Sequence, residues 1–323
     1  MNKHQVHDSK IVCLGGGIGT VNLVKGLRKH TPRITIVASM ADDGGSAGRL
    51  RRLYNVLPPG DIVSCIASLT ESEESSQFLT YRFPGDRYGK DDELSGHKMG
   101  NLMMVAAEQI TGSYAGAVEY LKKIFQVTAD IYPATSHSVT LHAITIDGRE
   151  VHGEETIDLG KYDEPRVLQT VYLKPENPQA SKDVIDAMDV ADCIVAGPGD
   201  LYSNLLPVLI VPEIAQKLKE IKTKKIYVVN VANKPFETTG YVVSDFIEAI
   251  TRHLGTFPFD TIIVNTNQGE TLPVQFHYEY VKIDEKLHQQ ESFKLVEKDL
   301  LNLEFPLYHN SIKLAEAIVE QLK

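Results

Sequence analysis

Ile11-Val12-Cys13-Leu14-Gly15-Gly16-Gly17-Ile18-Gly19-Thr20 is the stretch whose reading decides the fold. Four apolar residues running directly into glycines read as a short buried strand that ends in a sharp turn. Beyond the glycines, Val21, Val24 and Leu27 recur at helical spacing, with Leu23 beside the stripe. Ile34-Thr35-Ile36-Val37-Ala38 is a second buried strand. Strand, glycine loop, helix, strand is a βαβ unit with a right-handed crossover. The fold class that follows is α/β: a Rossmann-like, doubly wound, mostly parallel sheet.

The glycine loop carries chemistry as well as a turn. Glycines let a ligand approach the backbone, and the helix start offers unpaired N–H groups and a partial positive charge. Gly16, Gly17, Gly19 and Thr20 are therefore expected to hold ligand phosphates. The pattern is not a strict GxGxxG, since Thr20 takes the last glycine position. It is not a Walker A loop either, because no Gly-Lys-Ser/Thr follows.

Outward from this unit, residues 61–127 read as a mainly helical excursion. Ile62, Ile66 and Leu69 mark one helix; Leu102, Val105, Ala106 and Ile110 mark another, with a polar loop over 84–97 between them. Residues 138–173 read as a β-rich insertion. Val139 to Ile146 is strand-like, Asp147-Gly148 is a hairpin turn, and Val167 to Leu173 adds a strand. The α/β rhythm then resumes with strands at Cys193–Ala196, Ile226–Val231 and Thr261–Val264. Ser244 reads as the N-cap of a helix to about Leu254, with Asp245 in its first turn. A closing amphipathic helix to Lys323 carries Ile312, Leu314, Ala315, Ile318 and Leu322. No repeat or linker interrupts residues 1–323, which read as a single nucleotide-binding domain.

Of the 323 residues, 42% are hydrophobic and 24% charged, enough apolar material for a substantial core. The net charge of -10 argues against nucleic-acid binding, which needs a basic stripe to displace counterions. No apolar run reaches the ~18 residues that span a bilayer, and MNKHQVHDSK lacks a signal core. A cytoplasmic protein without membrane association is expected. Cys13, Cys65 and Cys193 are isolated and read as buried structural thiols.

Two further loops fall at the carboxyl edge of the sheet. Met40-Ala41-Asp42-Asp43-Gly44-Gly45-Ser46-Ala47-Gly48-Arg49 follows the second strand. Asp42 and Asp43 can accept ribose hydroxyls or hold Mg²⁺ between protein and phosphates. Gly44, Gly45 and Ser46 can form a second nest of donors, and Arg49 a phosphate clamp. Gly197-Pro198-Gly199-Asp200-Leu201-Tyr202-Ser203-Asn204 is another strand-to-helix loop, whose helix start with Ser203 and Asn204 can hold another phosphate or a sugar, or which is a turn with Asp200 as helix cap. Asn230 and Asn265 lie at or near strand ends, where switch-point ligands sit. His97 is a candidate acid/base group or a structural, ligand-orienting one. His142 and His152 lie on opposite hairpin arms and lack the sequence spacing of metal ligands, so they read as solvated or packed. No GxSxG, HExxH or Cys/His nucleophile arrangement stands out.

Taken together, GGGIGT, ADDGGSAGRLR, Pro58-Pro59-Gly60-Asp61, Gly96-His97-Lys98-Met99-Gly100-Asn101-Leu102 and AGPGDLYSNLLP resemble the YvcK-like gluconeogenesis factors. That group is the bacterial branch of the superfamily of 2-phospho-L-lactate transferase (CofD), and the resemblance runs from about residue 10 to the C-terminus. It implies a Rossmann-like core and a UDP-sugar or NAD ligand. It implies links to gluconeogenic growth, cell shape and cell-wall precursor supply. By position, Asp42, Asp43 and Asn101 would line the nucleotide or metal site. The transferase branch uses a nucleotide-linked phospholactate donor, a deazaflavin acceptor and Mg²⁺.

Several positions depart from the family pattern. Val63 and Ser64 stand where Arg-Asn is common, which removes a guanidinium that could clamp phosphate. Asp200 replaces Ser, the segment from Val231 to Thr238 differs, and Asn310 replaces Asp. The reading is a nucleotide- or UDP-sugar-binding regulatory factor without turnover, homo-oligomeric and with a protein partner. The alternative is a Mg²⁺-dependent transferase of a phosphorylated group, with Asp43 in the reaction. A NAD oxidoreductase fits least, for want of a strict GxGxxG and a hydride-transfer dyad.

Overall fold

The computed structural model describes residues 7–90, 92–273, 277–289 and 292–322. Most of the polar N-terminal segment and Lys323, the expected end of the last helix, lie outside the described residues.

The strands are β1 (Ile11–Leu14), β2 (Ile34–Ala38), β3 (Asp130–Pro133), β4 (Thr140–Thr145), β5 (Glu150–His152), β6 (Leu168–Lys174), β7 (Cys193–Ala196), β8 (Lys224–Val228), β9 (Ala232–Asn233), β10 (Thr261–Asn265), β11 (Glu279–Tyr280) and β12 (Lys294–Lys298). The helices are α1 (Gly17–Leu27), α2 (Gly45–Tyr54), α3 (Gly60–Leu69), α4 (Glu73–Thr80), α5 (Met99–Thr111), α6 (Tyr114–Ile124), α7 (Glu154–Asp158), α8 (Lys182–Asp189), α9 (Leu206–Leu209), α10 (Pro212–Glu220), α11 (Val243–Leu254) and α12 (Ser311–Glu320). A turn of π-helix, Leu201–Leu205, leads into α9.

Seven strands form one sheet in the order β12-β10-β8-β7-β1-β2-β3. All its pairings are parallel, with Ile11 in register with Ile34 on one side and Cys193 on the other. The chain leaves β1 toward β2 and β3, then returns to lay β7 on the opposite flank. The direction reverses between β1 and β7, which is the switch point of a doubly wound fold. All four residues of β1 and of β7 are buried, as expected for strands covered on both faces. Cys13, Cys65 and Cys193 are buried free thiols.

α1 lies between α3 and the C-terminal α12. The packing against α12 is close: a Cβ at Gly26 would collide with the Ser311 carbonyl. Asn310 caps α12, its Oδ1 accepting the Ile312 and Lys313 N–H groups, both at 3.1 Å. An aspartate there would accept the same bonds, so this departure leaves the cap intact. Leu314, Ala315 and Ile318 are buried as expected, whereas Ile312 is exposed, since it sits in the first turn on the solvent side.

Three other expectations shift. The residue at the N-cap of α11 is Val242, not Ser244; Asp245 reaches back and accepts the Val242 N–H at 2.7 Å, which fixes the earlier start. The buried face of α5 is Met104, Val105 and Ala107, while Ala106 and Ile110 are exposed. Leu102 is half-buried against Leu50, Val56 and Val105, a small cluster beside α2 rather than the main core. The insertion is a three-stranded antiparallel sheet in the order β5-β4-β6. Its buried face carries Leu141, Ala143, Val151, Val171 and Leu173. His253 of α11 ties it to the body: its Nε2 accepts the Val171 N–H at 2.8 Å, and its Nδ1 meets the Ala249 carbonyl at 2.7 Å. No helix among the described residues is long and apolar enough to cross a membrane.

Candidate functional site

The three glycine-containing loops converge at the carboxyl ends of β1, β2 and β7. Gly17 takes φ +66° at the start of α1. A Cβ at Gly16 would strike the Asp61 carboxylate, and one at Gly19 the Pro198 carbonyl. Gly19 therefore lets the third loop pack on the first, and Gly16 lets the Asp61 carboxylate of α3 approach the loop.

Donors in each of these loops are already engaged within the chain. The Gly16 N–H donates to Asn204 Oδ1 at 2.6 Å and the Gly17 N–H to Asp61 Oδ1 at 3.1 Å. Asn204 Nδ2 in turn donates to Asp61 Oδ2 at 3.2 Å. In the second loop, the Gly45 N–H donates to Glu155 Oε2 at 3.1 Å. In the third, the Tyr202 and Ser203 N–H groups donate to Glu237 Oε2 at 2.9 and 3.1 Å. Each loop thus holds a carboxylate of this chain where an anion is electrostatically favoured. The glycine pattern marks these helix starts; it cannot reveal that Asp61, Glu155 and Glu237, distant in sequence, reach them.

Cations line the space in front. A cavity of about 720 Å³ lies over β7 and β8, and another of about 460 Å³ over β1 and β2. A smaller one of about 150 Å³ shares Asp42 and Asp61 with the second and Asp158 and Asn204 with the first, and Arg87 lines all three. Lys25, Arg82 and Lys98 accompany Arg87 in the 460 Å³ cavity, facing Asp42 and Asp61. Burial and the neighbouring Arg82 lower the Lys98 ammonium, against the pull of Asp61. Its Nζ donates to Ser64 Oγ at 3.3 Å. Positive charge is therefore present without the arginine missing at position 63. Val63 itself is buried against α5, where a Cβ at Gly100 would meet it. Neither Arg82 nor Lys98 stands in a motif that assigns it a charge role, and Arg87 falls in the polar loop over 84–97, which has no periodicity to mark it.

Asp42 and Asp43 part company. Asp42 faces the cleft, its Oδ1 accepting the Gly44 N–H at 2.9 Å. Burial first, and then Asp61, push its carboxyl up to about 7. Asp43 turns the other way and accepts the Glu155 N–H at 2.9 Å, at the start of α7. The second acid beside Asp42 in the cleft is Asp61, whose carboxyl burial also raises.

Ser46 Oγ is a hub. It accepts the Lys98 N–H at 3.2 Å and the Asn101 amide at 3.1 Å, and meets His97 Nδ1 at 2.9 Å. Two donors already point at Ser46 Oγ, so its own hydrogen is left for His97 Nδ1. His97 is buried and acts on this hub; Asn101, in turn, lines the cavity with a buried Oδ1 that has no hydrogen-bond partner. Arg49 does not clamp phosphate. Its buried guanidinium donates to the carbonyls of Ser95, Lys90 and Glu93, and so holds the loop that presents Arg87.

In the 720 Å³ cavity the Gly199 N–H donates to Asn230 Oδ1 at 3.0 Å. Gly197 takes φ +76° before a cis bond to Pro198. Asp200 pairs with Lys234 Nζ at 2.6 Å, and Asp158 and Glu237 also contact that ammonium. Burial alone would lower Lys234, but the three carboxylates hold it well above its ordinary value. The two departures Asp200 and Lys234 are thus one ion pair. Tyr202 points away, its hydroxyl 2.8 Å from that of Tyr241. Asn265 is engaged in its own turn, its Nδ2 donating to the Asn267 carbonyl, and its Oδ1 also accepts the Leu300 N–H at 3.0 Å. Phe236, Tyr278, Leu307 and Tyr308 close the far end of the cavity.

Fold and cleft together define a Rossmann-like α/β protein with a large polar cleft at its switch point. The chain belongs to the 2-phospho-L-lactate transferase CofD family, whose description matches residues 11–301. A Bacillus subtilis relative named gluconeogenesis factor is 35% identical over 322 residues, covering 97% of this chain and 98% of its own. A Deinococcus radiodurans relative is 38% identical over 261 residues, covering 81% of this chain; that alignment spans only 54% of the relative's length. A Bacillus halodurans protein of solved crystal structure superposes with a TM-score of 0.87 at 32% identity, covering 96% of this chain and 99% of that one. The resemblance to the YvcK-like gluconeogenesis factors thus holds across most of the chain.

Proposed function

We propose that this protein is a regulatory factor that binds a nucleotide, a UDP-sugar or NAD, in the cleft without turning it over. The observation that carries this reading is Arg87 lining three neighbouring cavities at the switch point, with aromatic side chains lining the largest of these. A diphosphate fits beside Arg87 and Lys98, and a base beside Phe236 and Tyr308. Because a carboxylate of this chain already sits on backbone donors of each loop, recognition would rest on side-chain cations more than on the glycine loops. The factor acts in the cytoplasm as a homo-oligomer, through a protein partner, in gluconeogenic growth and cell-shape control. The name of the Bacillus subtilis relative supports the first of these roles.

A second reading is a Mg²⁺-dependent transferase of a phosphorylated group, favoured by the family and by Asp42 beside Asp61. In it, Asp42 and Asp61, rather than Asp42 and Asp43, would face the ion. The test is incubation with nucleotide-linked donors and Mg²⁺, followed by mass analysis of the nucleotide. Unchanged nucleotide that still binds supports the sensor. Release of a nucleoside mono- or diphosphate that Asp42→Asn abolishes would replace it with the transferase.

A further inference from the structure

The three-stranded sheet has a second face that the cleft does not use. Alternate residues of a strand point to opposite sides, and the apolar set of β4, β5 and β6 is turned inward. On the outward side, His142 stands directly opposite His152 on β5 and opposite Tyr172 on β6. Glu150, two residues before His152, shares that face.

The three polar side chains converge. His142 Nδ1 and His152 Nδ1 lie 2.7 Å apart, with the rings edge to face. Glu150 Oε1 is 3.6 Å from His142 Nδ1, and its Oε2 is 3.8 Å from His152 Nε2. One donor atom from each residue lies within 4.8 Å of the other two. The Tyr172 hydroxyl donates to the Glu150 carboxylate and fixes it.

We propose that His142, His152 and Glu150 form a binding site for a divalent transition-metal ion of the Zn²⁺ class. Two imidazoles and one carboxylate suit Zn²⁺, Co²⁺, Ni²⁺ or Cu²⁺, whereas Mg²⁺ and Ca²⁺ favour all-oxygen sets. The two Nδ1 atoms face each other so closely that one must carry a proton; a metal ion takes that proton's place. A tetrahedral ion with bonds of ~2.05 Å separates its nitrogens by ~3.3 Å, so the pair opens by ~0.6 Å. His152 is mostly exposed and free to move that far. Tyr172 then serves as the hydrogen-bonding support that such carboxylate ligands usually have. Sequence spacing could not reveal the site, because His142 and His152 meet through strand register.

The experiment is titration of the full chain, first stripped with chelator, using Co²⁺ followed by absorption and Zn²⁺ followed by calorimetry. One ion per chain with visible Co²⁺ bands is expected at this site. His152→Ala should weaken binding more than ~100-fold and abolish the bands, and Tyr172→Phe should weaken it ~10-fold with the bands retained. Excess Mg²⁺ should not compete. Metal-free melting curves of the variants establish that they fold. No Co²⁺ or Zn²⁺ binding by the wild type, or equal affinity and stoichiometry in folded His152→Ala, overturns the proposal.

Discussion

At the level of single residues, Asp42 and Arg87 stand out, the first facing the cleft and the second lining all three cavities. The Asp42 carboxyl sits at about 7 when folded against 3.8 ordinarily. The folded state therefore holds a proton that the unfolded chain releases between those values. The stability tied to this group is present below pH 3.8 and is lost as pH rises toward 7. Asp42→Asn should stabilise the protein at pH 8 by roughly 1 kcal/mol, discounted for its partial exposure. Denaturant melts at pH 5 and pH 8 check this; no gain at pH 8 would show that the proton is not held. His309 has the opposite sign. Burial lowers its imidazole to about 4, so its contribution is present above pH 6.5 and lost as pH falls toward 4. His309→Gln should flatten the acid limb of the stability curve, by up to ~3 kcal/mol near pH 4.

Among the elements, α1 and α12 depend on one close approach. Gly26→Ala places a methyl group against the Ser311 carbonyl and should cost ~1–3 kcal/mol in urea unfolding. Asn310→Ala removes the cap of α12 and should cost ~1 kcal/mol, whereas Asn310→Asp should be neutral. The legible parts of the sequence were local. Ile11–Leu14 and Cys193–Ala196 announced buried strands by apolar runs ending in glycine, and the loops that follow them do meet. Asp245 was rightly seen as a first-turn acid, but its bond to the Val242 N–H moved the cap two residues earlier. The buried face of α5 departs from its apolar spacing, since Leu102 packs on α2, a contact no periodicity encodes. Arg49 looked like a phosphate clamp because arginine after a glycine loop often is one; tertiary contacts to the Lys90, Glu93 and Ser95 carbonyls claimed it instead.

Across the whole molecule, the doubly wound sheet brings the chemistry to one edge. Asp61, Glu155 and Glu237 arrive there from three different elements to occupy the helix-end donors. On the proposed reading, recognition would then fall to Arg87 and Lys98. The Asp200–Lys234 pair keeps the charge of the cleft balanced despite the added acid. Removing Lys234 alone leaves Asp158, Asp200 and Glu237 uncompensated. Lys234→Met should therefore destabilise the fold by ~3 kcal/mol or more and weaken any anionic ligand, read in melts and in titration.

The most direct measurement is calorimetric titration of the wild type and of Arg87→Ala with UDP-GlcNAc, NAD, GDP and ADP, each with and without Mg²⁺. Binding of at least one of them without Mg²⁺, weakened ~10–100-fold in Arg87→Ala, is the expected result. No binding by the wild type, or binding that Arg87→Ala leaves unchanged, would contradict a nucleotide cleft built on side-chain cations.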